Sequence, residues 1–252
     1  MRAAVALGLL ALAGSAVAAP APIPGAAQPK GHYGALDKLP DWGGVWVLAP
    51  APGPPPAAKG EYAKKLAERK AFADANNGEF PRDFSYCASP GVPYQMGLGQ
   101  YPIEFLFTPG RVTILLEAWM QTRRVFTDGR GHPEDLELSL NGHSVGRWEG
   151  ETLVVDTVGL KPQARIVVGL DHSDKERITE RIHLDPKDPD TLIDELTVSD
   201  PDALEKPWLN VLRYKRHREW DLIEFVCAEN DLNPVGADGK GVFGPTAAGT
   251  SK

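Results

Sequence analysis

Cysteine is scarce in this chain: 252 residues carry two, Cys87 and Cys227. Two thiols so far apart, with no CxxC spacing, frame neither a disulfide mini-domain nor a thiolate zinc site. Positive charge is short as well, since 27 Lys and Arg face 34 Asp and Glu, a formal net charge of -7. A nucleic-acid partner is therefore not expected, because backbone contacts would need a basic surplus the chain does not have. After the N-terminus no hydrophobic run is long enough to cross a bilayer. A GxSxG elbow, a P-loop and a GxGxxG fingerprint in a βαβ setting are all missing. Their absence removes support for an α/β serine hydrolase, a phosphate-cradling NTPase and a dinucleotide enzyme, and no organic cofactor is implied. What is present, 42% hydrophobic and 24% charged residues with 26 Gly and 23 Pro, is the balance of an ordinary globular domain.

The first residues read as a targeting signal. Met1 and Arg2 give a positive start, Ala3 to Ala13 form a short apolar run, and Ala16-Val17-Ala18 is the small-residue pattern of a signal-peptidase site. Residues 1–18 are thus expected to be a signal peptide, and the protein to be periplasmic or secreted. Pro20, Pro22 and Pro24 weigh against a retained anchor helix. In an oxidising compartment Cys87 and Cys227 can bridge; two free buried thiols are the alternative.

Residues 19–57 form a Pro- and Ala-rich segment with one anchored piece, Trp42 to Trp46. Glu61 to Ala75 has helical periodicity and is stopped by Asn76-Asn77-Gly78. After Pro81 the period changes from 3.6 to short β segments punctuated by turns. Ile103–Phe107 with Val112–Glu117, Ser144–Glu149 with Thr152–Val158, and Arg177–Leu184 with Leu192–Ser199 read as hairpins, Arg123–Thr127 as a further strand, and Leu209–Arg216 with Leu222–Cys227 as a last pair. The expected fold class is all-β with minor α: an antiparallel meander closed into a lipocalin-like, calycin-type barrel, which hides its strand edges where a sandwich leaves them open. A helix-plus-barrel domain would span 58–232, and residues 233–252 a flexible tail.

Strand alternation exposes an anomaly. Glu180 shares a face with Ile178, Ile182 and Leu184, and Asp194 shares one with Leu192, Leu196 and Val198. If the turn sets Ile182 opposite Leu192, the two carboxylates lie directly across; a slip by one pair makes them diagonal neighbours. Paired carboxylates in an apolar cavity split into one acid and one base near neutral pH. The competing reading is a set of structural ion pairs with Arg177, Arg181, Arg213 or Arg216, or an outward face.

Two further stretches, Asp128 to Pro133 and Asn141 to Asp156, concentrate His132, His143, Arg147, Trp148, Glu149 and Asp156. His143 is the candidate proton carrier, Asp156 or Asp194 the second carboxylate, and Arg147 an anion stabiliser. Trp148, Trp119, His172 and Arg181 are the expected ligand contacts. His143, His172 and His183 have no short-range spacing of a metal site, so no metal is assigned.

These stretches resemble a family of exported, largely uncharacterised bacterial β-rich proteins. The resemblance rests on Cys87 to Pro93, Thr108 to Ile114, Arg124 to Pro133, the distinctive block Gly142 to Thr157, and Asp200 to Trp208, and it covers roughly residues 41–232. It implies a secreted β-rich domain and hands over no catalytic residues. The chain departs from the pattern at Asp194, where relatives more often carry an aromatic residue. The function expected from the residues is an exported small-molecule enzyme: cofactor-independent acid/base chemistry of the isomerase, lyase or hydrolase kind on a hydrophobic or aromatic substrate, with Glu180 as base or acid. A periplasmic ligand carrier or sensor is the alternative.

Overall fold

Alternating apolar and polar residues make strands with one face to bury, and without helices between them such strands must cover one another. In a computed structural model, which describes residues 31–49, 53–81 and 87–226, they do so by closing on themselves. The strands are β1 (Val45–Leu48), β2 (Ile103–Thr108), β3 (Arg111–Leu116), β4 (Gln121–Phe126), β5 (His143–Glu149), β6 (Thr152–Val158), β7 (Arg177–Asp185), β8 (Asp188–Ser199) and β9 (Trp208–His217). They form a closed barrel in sequence order, with β1 pairing both β2 and β9. The expected signal peptide and the tail 233–252 lie outside the described residues.

One step departs from the antiparallel meander. β4 and β5 run parallel, joined only through Val125↔Ser144 and Phe126↔Val145. Parallel neighbours need a long crossover, and residues 127–142 supply it. Gly142 ends that crossover at φ +62, where an added Cβ would lie 2.8 Å from the Val158 carbonyl oxygen, so the tight entry into β5 requires glycine.

Closure corrects two expectations. The strand foreseen at Leu222–Cys227 does not form over the described residues 222–226. The end of β9 from which the chain continues, Tyr214–His217, is already paired with β1, so a segment turning back from His217 finds no ladder there. That segment is pinned instead by Ile223 N–H donating to Glu117 Oε2 at 3.0 Å and by the Phe225 ring 5.3 Å from Tyr101. The anchored piece Trp42–Trp46 turns out to carry this closing strand, so the barrel begins ahead of residue 58. Trp46 is fully buried, and its Nε1–H donates to the Trp42 carbonyl at 3.0 Å.

The helix α1 (Gly60–Ala75) packs outside the barrel and buries only Ala73 fully. It is held by Arg69, which donates to the Gly169 carbonyl at 2.9 Å and to Asp171 at 2.8 Å. Inward side chains of every strand fill the core, among them Ile114, Val125, Leu153, Ile178, Ile182 and Leu192. Among the described residues no helix is long and apolar enough to cross a membrane.

Candidate functional site

The β7–β8 hairpin settles the carboxylate question. Its register pairs Leu184 with Leu192, Ile182 with Asp194 and Glu180 with Leu196, with an irregularity at Leu184/Asp185. The carboxylates are therefore diagonal neighbours, and both point inward, each 1% exposed. Neither pairs with Arg177, Arg181, Arg213 or Arg216. Glu180 is gripped by Arg123 of β4, whose two terminal nitrogens donate to its two oxygens, one at 2.7 Å. The same guanidinium donates to Thr157 Oγ1 at 2.9 Å and faces Ser144 Oγ at 3.4 Å. Arg123 is itself 1% exposed and was missed in the sequence, although the clue was there: it alternates in step with Val125, the same polar-on-an-apolar-face anomaly as Glu180.

Both oxygens of Glu180 thus accept from one guanidinium in a bidentate, charge-assisted pair, which fixes the carboxylate in place and compensates its charge. Asp194 is the opposite case. Neither of its oxygens receives a hydrogen bond, and in its protonated form it donates to Glu180. Burial pushes its pKa well above the usual carboxylate range, the charge of Glu180 adds to the rise, and Arg123 opposes it. Beside them the Tyr214 hydroxyl donates to the Met96 carbonyl at 2.8 Å, and burial raises its pKa well above the ordinary phenol value.

A cavity opens at one end of the barrel. β1 reaches only as far as Leu48, so among the described residues no strand pairs with the first half of β9 on that side. The gap is lined by Leu48, Pro54, Tyr94, Leu196, Trp208 and Leu212, among others, and encloses about 560 Å³. Leu196 is two residues beyond Asp194, and Leu212 is its cross-strand partner, so the floor of this cavity lies one residue row from the buried carboxyl. Trp208 Nε1–H donates to the Pro54 carbonyl at 2.6 Å and ties the 53–56 segment across the opening. Among the described residues, Lys70 of α1 is the one charged side chain in its lining.

His143, Asp156 and Arg147 face the other way, onto the outside of the wall. There His132, from the 127–142 crossover, bridges the first two: its Nδ1 lies 2.8 Å from His143 Nδ1, and its Nε2 lies 3.1 Å from Asp156 Oδ2. Arg177 Nε donates to Asp156 Oδ1 at 2.6 Å. Burial works against the Asp156 carboxylate, but hydrogen bonds from Arg177 and His132 more than offset it and hold its pKa below the usual value. Burial, with the nearby His132 and Arg130, lowers that of His143. Arg147 is exposed and pairs with Glu149 at 2.6 Å; Arg181 binds the same carboxylate at 2.8 Å.

The remaining residues are dispersed. Trp148 packs 5.4 Å from Trp42 and from Phe107 at the barrel's far side of the core. Trp119, at φ +57, lies 6.2 Å from Tyr101 and 5.8 Å from Phe225. The His172 ring is fastened between the Ser173 and Lys161 carbonyls at 2.7 and 2.8 Å, with Glu176 at 3.2 Å. None of these three, nor Arg181, lines the cavity at the barrel mouth. No cysteine among the described residues is free, and Cys227 lies outside them.

The fold and site define a closed β-barrel with an apolar chamber at one end and a histidine chain on its wall. No family model matches the chain. No curated protein matches it either. Among solved structures it is similar to a mutant of the fluorescent protein UnaG, 14% identical, covering 71% of this chain and 97% of that one at a TM-score of 0.32.

Proposed function

We propose that this protein is a binding barrel for a small hydrophobic or aromatic molecule, exported by its N-terminal segment and closed by a Cys87–Cys227 bridge, within the exported β-rich family it resembles. The observation that carries the reading is the chamber beside β9. Its volume, about 560 Å³, falls in the range that encloses most of a small ligand, and its walls are leucine, proline and aromatic side chains. Glu180 supports carriage more than turnover, because Arg123 grips both of its oxygens and His143 is separated from it by the wall. Its part is to tie β7 to β4 across the lumen.

The test is retention of ligand. Purified protein incubated with extract of its own source, washed and examined by native mass spectrometry, should hold a small apolar molecule. Gly97 lines the chamber, and an added Cβ there meets nothing within 4 Å. Gly97→Leu should fill the space and lose the ligand with the fold intact. Failure of the wild-type protein to retain any apolar molecule, or undiminished binding by Gly97→Leu, would remove the chamber from consideration.

A further inference from the structure

We infer that His143, His132 and Asp156 form a hydrolytic base site on the outer wall, separate from the chamber, in which His143 Nε2 activates water against a small ester. The two stretches dense in chemistry-bearing residues, Asp128–Pro133 in the crossover and Asn141–Asp156 in the β5–β6 hairpin, meet here. β5 and β6 are antiparallel neighbours with Val145 opposite Asp156, which places His143 and Asp156 on one outer face two residues out of register. His132 then spans the distance between them.

The hydrogen bonds dictate where the protons sit. The Asp156 carboxylate only accepts, so His132 Nε2 carries the hydrogen it receives. With one proton on each ring, His132 Nδ1 is then an acceptor, and His143 Nδ1 must be the donor across the 2.8 Å contact. That leaves the lone pair of His143 on Nε2, an atom for which no described residue supplies a partner. Phe126 stacks on the His143 ring at 5.4 Å and fixes its plane. Arg177 clamps Asp156 from β7, so the chain is anchored at its far end as well. His143 is the catalytic residue in this arrangement; His132 and Asp156 are positioning residues that hold its tautomer and share the charge when it takes a proton.

Openness selects the reaction. His143 is half-buried, and the His132 and Asp156 side chains are each 21% exposed, so the chain lies at the solvent boundary. Carbanion chemistry of the isomerase or lyase kind needs shielding from water, whereas hydrolysis consumes it. In the step, a water proton passes to His143 Nε2 as the water oxygen bonds to the ester carbonyl carbon. The bond to the leaving oxygen then breaks, and the proton returns to it, giving acid and alcohol with no further reactant. The charged groups around the base are Arg130, which stacks on Phe126 at 4.1 Å and pairs with Asp128, Arg124 on the outer face of β4, and Arg177 with Asp156. Arg130 and Arg177 are each paired with a carboxylate, which leaves Arg124, on the neighbouring strand, as the cation suited to an anionic transition state.

The probe is p-nitrophenyl acetate. Wild-type protein should hydrolyse it with kcat/KM about 100-fold above His143→Ala, the usual yield of a positioned base. The rate should rise with pH and level off around a midpoint below the ordinary imidazole value. Asp156→Asn should slow the reaction and move the midpoint further down, because the negative charge that supports a proton on the chain is gone; a purely structural Asp156 would leave the midpoint in place. Long-range ¹H–¹⁵N correlation on the wild-type protein reads the tautomers without any variant. His143 protonated on Nδ1 supports the site. A His143 proton on Nε2, or equal rates for wild type, His143→Ala and His143→Gln, overturns it.

Discussion

The same three strands treat ionisable groups in opposite ways on their two faces. On the inside, Ser144 of β5, Thr157 of β6 and Glu180 of β7 surround Arg123 in a dry, fully engaged cell. On the outside, the residues beside or near them, His143, Asp156 and Arg177, join through His132 into an open chain that ends in a nitrogen with no partner among the described residues. One residue of chain separates a structural role from a chemical one, because successive strand residues point to opposite sides and water is present on only one of them. Saturation with partners marks the inner set as part of the architecture. A spare lone pair, with water in reach, marks the outer set as the place where a proton can move.

That contrast can be broken most directly from the inside. Glu180→Gln would strand the buried Arg123 charge and should cost about 3–5 kcal/mol in denaturant unfolding, whereas replacing both, Arg123→Met with Glu180→Leu, should recover most of the loss. Asp194→Asn should have a smaller effect of opposite sign. Its raised pKa means that the carboxyl favours folding fully only below the unfolded value near 3.8 and that this contribution drains away as pH rises through the folded value. The amide cannot ionise, so at pH 8 the variant should be more stable than wild type, and its stability should vary less between pH 4 and 8. Gly97→Leu should abolish ligand retention while shifting stability by about 1 kcal/mol or less, read by thermal unfolding with and without ligand. Smallest of all in stability is His143→Ala, about 0.5 kcal/mol, the typical scale for a wall residue outside the core. If His143→Ala proved as destabilising as Glu180→Gln, the distinction between the two faces would fall.

Much of this was legible beforehand, for reasons visible in particular residues. The β7–β8 hairpin was readable because nine- and twelve-residue strands repeat the period of two many times, and Glu180 and Asp194 stood out as interruptions of an apolar row. Arg123 carried the same mark in a six-residue strand, where one Val125 was too little pattern to set it against. β1 was hidden for a similar reason, since four residues beside a proline-rich stretch have no period to speak of, and only the bare edge of β9 explains why they pair. His132 had no periodic context at all; it lies in a crossover whose path depends on the parallel step from β4 to β5.

From the chain alone came the β-rich class, the closure into a barrel, and which residues of each long strand share a face, since alternation is a local property of extended backbone. Which of the two faces meets solvent, which arginine reaches Glu180 from across the lumen, and which histidine spans His143 and Asp156 were decided only when the strands closed. Those relations join residues from separate strands and from a connecting loop, and their distances are set by ladder register and barrel closure rather than by separation along the sequence.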